Sequence, residues 1–230
     1  MIESIEEAKE CLKYVSSYRQ NIVFLRELIL CSNGCVDKIN NTYEAHAFNF
    51  VLSTLHSRMV IDLRKILEPS GKDKKNNISA LIKYIKKNKD FLVNKHFENY
   101  YTIPTIYMGS ISPQKTPEFT SFFERRKKAG AEEAAKKCSD RITLIIKQWD
   151  RVWTLLKKES LDIVPARTVI THSVNPKISK IPSLDKIKKL LKIATYFIKN
   201  IFYIIDNSSY DYKLEQIQLH EISNRFWSRI

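Results

Sequence analysis

Apolar side chains recur along this chain at intervals of three and four residues, while strict two-residue alternation is hard to find. That periodicity predicts helices rather than sheet. Ser4 and Glu7 have the spacing of a capping box, so a first helix is expected to start there. Ile5, Ala8, Leu12, Val15 and Arg19 follow one stripe, and Ile22, Val23 and Leu25 carry the pattern toward Leu30. Asn33-Gly34 is the expected stop, with glycine in the left-handed C′ conformation. A second helix is expected from about Asn41 to Leu67. Phe48, Val51, Leu52, Leu55, Met59, Leu63 and Ile66 form one apolar line, and Ala47, Phe50 and Ile61 form another. A helix apolar on two sides is expected in the middle of a bundle. Arg58 and Asp62 are spaced to pair on its polar edge. His46 and His56 read as edge or core residues, and Glu68-Pro69-Ser70-Gly71 ends the helix.

Ile78, Leu81, Ile82 and Ile85 mark a third helix, and Asp90 to Tyr101 a fourth. Thr102 to Thr120 contains Pro104, Gly109, Pro113 and Pro117 and reads as a long loop. Beyond it, Glu118 to Cys138 is polar and helix-prone. Asp140 to Lys158 is amphipathic through Ile142, Ile145, Ile146, Trp149, Trp153 and Leu156. Pro165 is expected to break or restart that helix, since it lacks the backbone donor. A long final helix runs from the N-cap Ser183 to Ile205 on Leu184, Ile187, Leu191, Ala194, Ile198 and Phe202. Tyr212 to Trp227 forms one more helix outside the bundle. The expectation is an all-α bundle with additional helices and a long proline-containing loop. Phe48, Leu52, Leu55, Trp149, Trp153, Leu191 and Ile198 are expected to share its core. The bundle domain covers 1–206, with an insertion over about 90–138, and 207–230 is a C-terminal helical extension.

A length of 230 residues suits one domain, and 43% apolar residues suffice for a core. Only 4 Gly and 7 Pro leave few tight turns. The opening Met1 to Glu7 is acidic, with no apolar run behind it, so no secretory signal is expected. Tyr196 to Ile205 is too short to span a membrane and carries Lys199. Cys11, Cys31, Cys35 and Cys138 lack the spacing of a disulfide framework, which points to reduced thiols in a cytoplasm. Cys31-x3-Cys35 is half of a zinc motif without a second half, so no metal or cofactor is expected.

Charge changes the picture. The net charge is +14, but residues 1–70 hold 8 basic and 9 acidic side chains, and residues 71–206 hold 28 and 13. A basic surface confined to part of a domain points to a polyanionic partner such as RNA. Lys83, Lys86, Lys87, Arg125, Arg126, Lys186 and Lys189 are the candidate phosphate contacts.

The chain has no P-loop, GxGxxG, HExxH or nucleophile elbow. What remains is Pro165 to Ser173, within which Arg167 and His172 give Arg-x4-His. With Tyr43 to Phe50 running on to Asp62–Leu67, and with the helix that follows the motif, this segment resembles the HEPN superfamily, and within it the abortive-infection U type. The resemblance runs loosely over most of 1–206. It implies an α-helical bundle that dimerises so that two Arg-x4–6-His motifs face one another. It also implies a metal-independent endoribonuclease of an antiviral defence or toxin–antitoxin kind, with an antitoxin or other defence-system protein as partner. Arg167 and His172 are then the catalytic pair. Thr168 follows the arginine where many active members carry Asn, Asp or His.

The chemistry is consistent with that role. RNA supplies its own nucleophile, the 2′-OH. A histidine titrating near neutrality moves the proton, and an arginine holds phosphate oxygens as charge builds. Five helical steps turn about 140°, so one straight helix does not bring both residues to one face; a break or a second chain is required. Catalysis, RNA binding without catalysis and a protein-interaction bundle all remain open on the sequence.

Overall fold

The computed structural model describes the backbone of residues 2–39, 44–67, 76–102, 117–172, 182–209 and 211–229, and the side chains of these other than 37–38, 117–119 and 155–172. Every regular element among them is helical: α1 (Ile5–Cys31), a 3-10 turn (Ser32–Cys35), α2 (Val36–Ile39), α3 (Glu44–Leu67), α4 (Ile78–Lys87), α5 (Lys89–Thr102), α6 (Pro117–His172), α7 (Leu184–Asp206) and α8 (Tyr212–Trp227). The protein is an all-α bundle.

Local chemistry sets most of the boundaries. Ser4 Oγ accepts from Glu7 N–H at 3.1 Å, and the Glu7 carboxylate accepts from Glu3 N–H at 2.8 Å. Asn77 and Ser183 cap α4 and α7 in the same way. Asn207, at φ 52°, closes α7 in the left-handed conformation that asparagine tolerates. Gly34 does not play that part for α1. The chain tightens into the 3-10 turn instead, where Ser32 N–H reaches Leu28 O and Ser32 Oγ donates to Ile29 O at 2.6 Å. With those carbonyls satisfied, no left-handed residue is needed.

The main core joins α1, the second half of α3, α4, the middle of α6 and α7. Leu12, Ile22, Met59, Leu63, Leu81, Ile142, Ile145 and Phe197 lie within it. Trp149 meets Phe197 edge to face with ring centroids 4.9 Å apart. Leu191 and Ile198 belong to this core, and Trp153 packs half-buried against it. Phe48, Leu52 and Leu55 do not. They are half-buried in a separate cluster with Leu28, Cys35 and Trp227. The reason is where α3 is embedded: it enters the main core only from Ser57 onward. Its first turns run past that core, leaving Phe50 70% exposed.

α6 also departs from expectation. It is 56 residues long, about 84 Å of helix at 1.5 Å per residue. It fuses the two helices predicted on either side of Cys138 and continues through Pro165. A proline forfeits one backbone hydrogen bond and crowds the carbonyl four residues before it. Here the helix on both sides bridges that single lost bond. The N-terminal part of α6 pairs with α5 as an arm. Tyr101 Oη donates to Glu124 at 2.8 Å, and Lys127 Nζ lies 5.1 Å from the centre of the Tyr101 ring. A Cβ on Gly130 would collide with the Tyr100 ring, so glycine is what lets that ring lie on the α6 backbone.

Candidate nucleic-acid interface

α7 positions the basic groups. Its core stripe of Ile187, Leu191, Ala194 and Ile198 is buried, and Lys188, Lys192 and Thr195 follow along one flank at intervals of four and three. Two cavities open beside this helix. One, of about 390 Å³, lies between α6 and α7, with Arg151 and Lys192 at its rim and Val152, Ile193, Tyr196 and Phe197 forming an apolar and aromatic floor. The other, of about 380 Å³, lies between α1, α7 and α8; Arg19, Arg26, Lys188, Lys192 and Lys213 line it, with no carboxylate among its lining residues. Lys192 borders both.

The second cavity is braced from behind. Arg19 is 4% exposed and forms a buried ion pair with Glu215. Its Nε donates to Thr195 Oγ1 at 3.0 Å, and its guanidinium lies 4.1 Å from the centre of the Tyr212 ring. Arg26 Nη2 pairs with Glu27 Oε1 at 3.0 Å. Glu27 is itself buried and is held by Gln216 Nε2 at 3.4 Å and His220 Nδ1 at 2.9 Å. Both arginines are thus tied to carboxylates that do not line the cavity. Lys188, Lys192 and Lys213 have no carboxylate partner among the described residues.

The candidate phosphate contacts named from sequence fall into three separate places. Lys83, Lys86 and Lys87 are exposed on α4, Arg125 and Arg126 are exposed on the α6 arm, and Lys186 and Lys189 stand on α7. Arg125 is 24 helical residues from Trp149, about 36 Å along α6, so the arm cations do not join the cavities. Lys189 lines neither cavity but shares a helix face with Ile193 and Tyr196, which line the one between α6 and α7. Sequence reading missed Arg19, Arg26, Arg151, Lys188, Lys192, Tyr196 and Lys213. One signal was available: Arg19 occupies a core position in the α1 stripe, which for an arginine demands a buried partner.

Arg167 and His172 lie on the backbone of the last part of α6, with His172 its final residue; their side chains, like the loop over 103–116, lie outside the described residues. Because α6 is unbroken there, the two positions are about 140° apart around one axis.

The remaining reactive groups serve packing. Burial pushes the Cys11 thiol up to about 12 and the Cys138 thiol to about 11. Burial, with Glu27 nearby, also raises Cys31. Thiols so shifted are poor nucleophiles at neutral pH. His96 and His56 are lowered from their usual range, first by burial; they sit at 3.0 Å from Ile204 O and 2.8 Å from Pro182 O. Among the described residues no group of three His, Cys, Asp or Glu is placed to hold a metal, and no helix is long and apolar enough to cross a membrane. Comparison with protein-family models, with curated proteins and with solved structures finds no match.

Proposed function

We propose that this protein binds RNA across α7. The observation that carries the reading is the pair of cavities sharing Lys192, each rimmed by cations and free of lining carboxylates. Single strands are held by a positive groove that tracks the backbone and by aromatic faces on which bases stack. Lys192 and Arg151 supply the first, and Tyr196 supplies the second above the fixed Phe197–Trp149 pair. The test is binding of a single-stranded RNA across a salt series. Affinity should fall steeply with salt, and Lys192→Ala with Arg151→Ala should flatten the slope. Binding indifferent to salt and to both substitutions ends the proposal.

A second reading extends the first. Bound RNA is cleaved without a metal by Arg167 and His172 in a homodimer, as the HEPN resemblance implies. The observation favouring a two-chain site is the unbroken helix beneath the motif, which separates the two residues by about 140° within one chain. A second copy brings the arginine of one chain toward the histidine of the other. Such a nuclease works on RNA in the cytoplasm and calls for an antitoxin or other defence-system partner. Incubation with total RNA in EDTA tests it: wild type should cut and His172→Ala should not.

A further inference from the structure

The two cavities differ in a way that phosphodiester binding does not explain. The α6–α7 cavity carries two cations over an apolar floor, while the cavity between α1, α7 and α8 gathers five. A strand's internal phosphate carries one negative charge, whereas a terminal phosphate monoester carries about −1.5 to −2 near neutrality. We infer that the cavity between α1, α7 and α8 receives a dianionic terminal phosphate, borne by an RNA 5′ end or by a free nucleotide. The RNA form of this inference rests on the RNA-binding reading of the same site.

Three features carry it. First, the carboxylates that hold Arg19 and Arg26 balance those two charges, so the excess positive charge belongs to Lys188, Lys192 and Lys213. Those lysines come from two helices and converge on one space. Second, the arginines are fixed before any ligand arrives. Arg19 is clamped by Glu215, Thr195 and Tyr212, and Arg26 by Glu27. A guanidinium has five N–H donors, and the bond to Glu27 occupies one edge of Arg26. Prearranged donors lose little freedom on binding. Third, Tyr212 and Lys213 form the first turn of α8, so the positive end of a 16-residue helix meets the cavity. Asp211, which caps that turn by accepting from Lys213 N–H and Leu214 N–H, offsets part of this field. Val23 and Leu191 lower the local dielectric, which strengthens attraction to the lysines. The volume of about 380 Å³ admits a phosphate with its sugar.

The test compares two RNAs of one sequence, one 5′-phosphorylated and one 5′-hydroxyl, by fluorescence anisotropy at moderate salt. A calorimetric arm compares adenosine 5′-monophosphate with adenosine. The phosphorylated RNA should bind about tenfold tighter, a ratio that charge-assisted contacts supply. Lys188→Ala with Lys213→Ala should bring the ratio toward one, while Lys189→Ala should weaken both RNAs equally and keep it. The nucleotide should compete with the phosphorylated RNA, and adenosine should not. Nucleotide binding that needs Lys213, with no RNA binding, assigns the pocket to free nucleotides and removes the RNA reading. Equal affinity for the two RNAs, with no nucleotide binding, overturns the pocket and leaves RNA binding standing. If neither RNA nor nucleotide binds, both ideas fall.

Discussion

Arg19 and Glu215, 196 positions apart in sequence, form an ion pair inside the protein and so tie α8 to α1. Removing one member leaves the other charged and buried. Glu215→Ala should therefore cost about 3–5 kcal/mol in urea denaturation, far more than an exposed pair such as Glu133–Lys137. Replacing both with apolar residues of similar volume should be close to neutral. A Glu215→Ala protein as stable as wild type would show that α8 is held by other contacts.

Core truncations should separate the two apolar clusters. Leu191→Ala and Ile198→Ala remove side chains from the main core and should each cost about 2–5 kcal/mol. Leu55→Ala acts on a half-buried residue of the smaller cluster and should cost less. Equal losses at all three sites would contradict the division seen here.

Binding variants should separate the α7 track from the arm. Each of Lys192→Ala and Arg151→Ala should reduce the salt slope by about one, and Tyr196→Ala should cost about 1–3 kcal/mol with little change in slope. On an oligonucleotide too short to reach along α6, Arg125→Ala and Arg126→Ala should have no effect.

Cleavage should depend on Arg167 and His172 separately. Each alanine substitution should lower the rate on the order of a hundredfold or more while binding persists. Mixing the two mutant chains should restore part of the activity, because one kind of mixed dimer keeps an intact pair at one site. Full-rate cleavage by a protein that sediments as a monomer would exclude the shared cleft.

His96 and His56 give a pH dependence whose sign follows from their lowered values. Below 6.5 an unfolded histidine takes up a proton that the buried ring resists. The unfolded state then binds more protons, so stability is full above 6.5 and falls as the pH drops below it toward the folded-state values. Urea midpoints at pH 7.5 and 5.5 should show this loss, and His96→Asn should reduce it. A midpoint unchanged over that interval would mean that the rings charge freely in place.

Helix positions were legible because apolar spacing and capping side chains act locally. Ser4 and Ser183, both read as caps from the sequence, each cap a helix through a bond to a backbone N–H three residues on, and Asn77, not read as one, does the same for α4. The depth to which a helix is buried was not legible. The double apolar line of α3 reads as a central helix, yet in its first turns the line of Phe48, Leu52 and Leu55 is the covered one, against Leu28, Cys35 and Trp227, and Phe50 on the other line stays exposed. The cavity cations were hidden for a related reason. Arg19, Lys192 and Lys213 lie on three helices, and only tertiary packing brings them to one space. Runs such as Arg125-Arg126 draw the eye in a sequence and here sit on the arm.

The unbroken course of α6 makes helical phase a property that the bundle and the Arg-x4-His segment share. Trp149 fixes the rotation of the helix against Phe197, and every later residue inherits that setting. One residue inserted between Trp149 and Arg167 turns the motif by about 100° relative to the core, whereas seven return it to within about 20°. A nuclease assembled from two such helices should lose activity with the single insertion and regain part of it with the heptad, although neither change touches a reacting group.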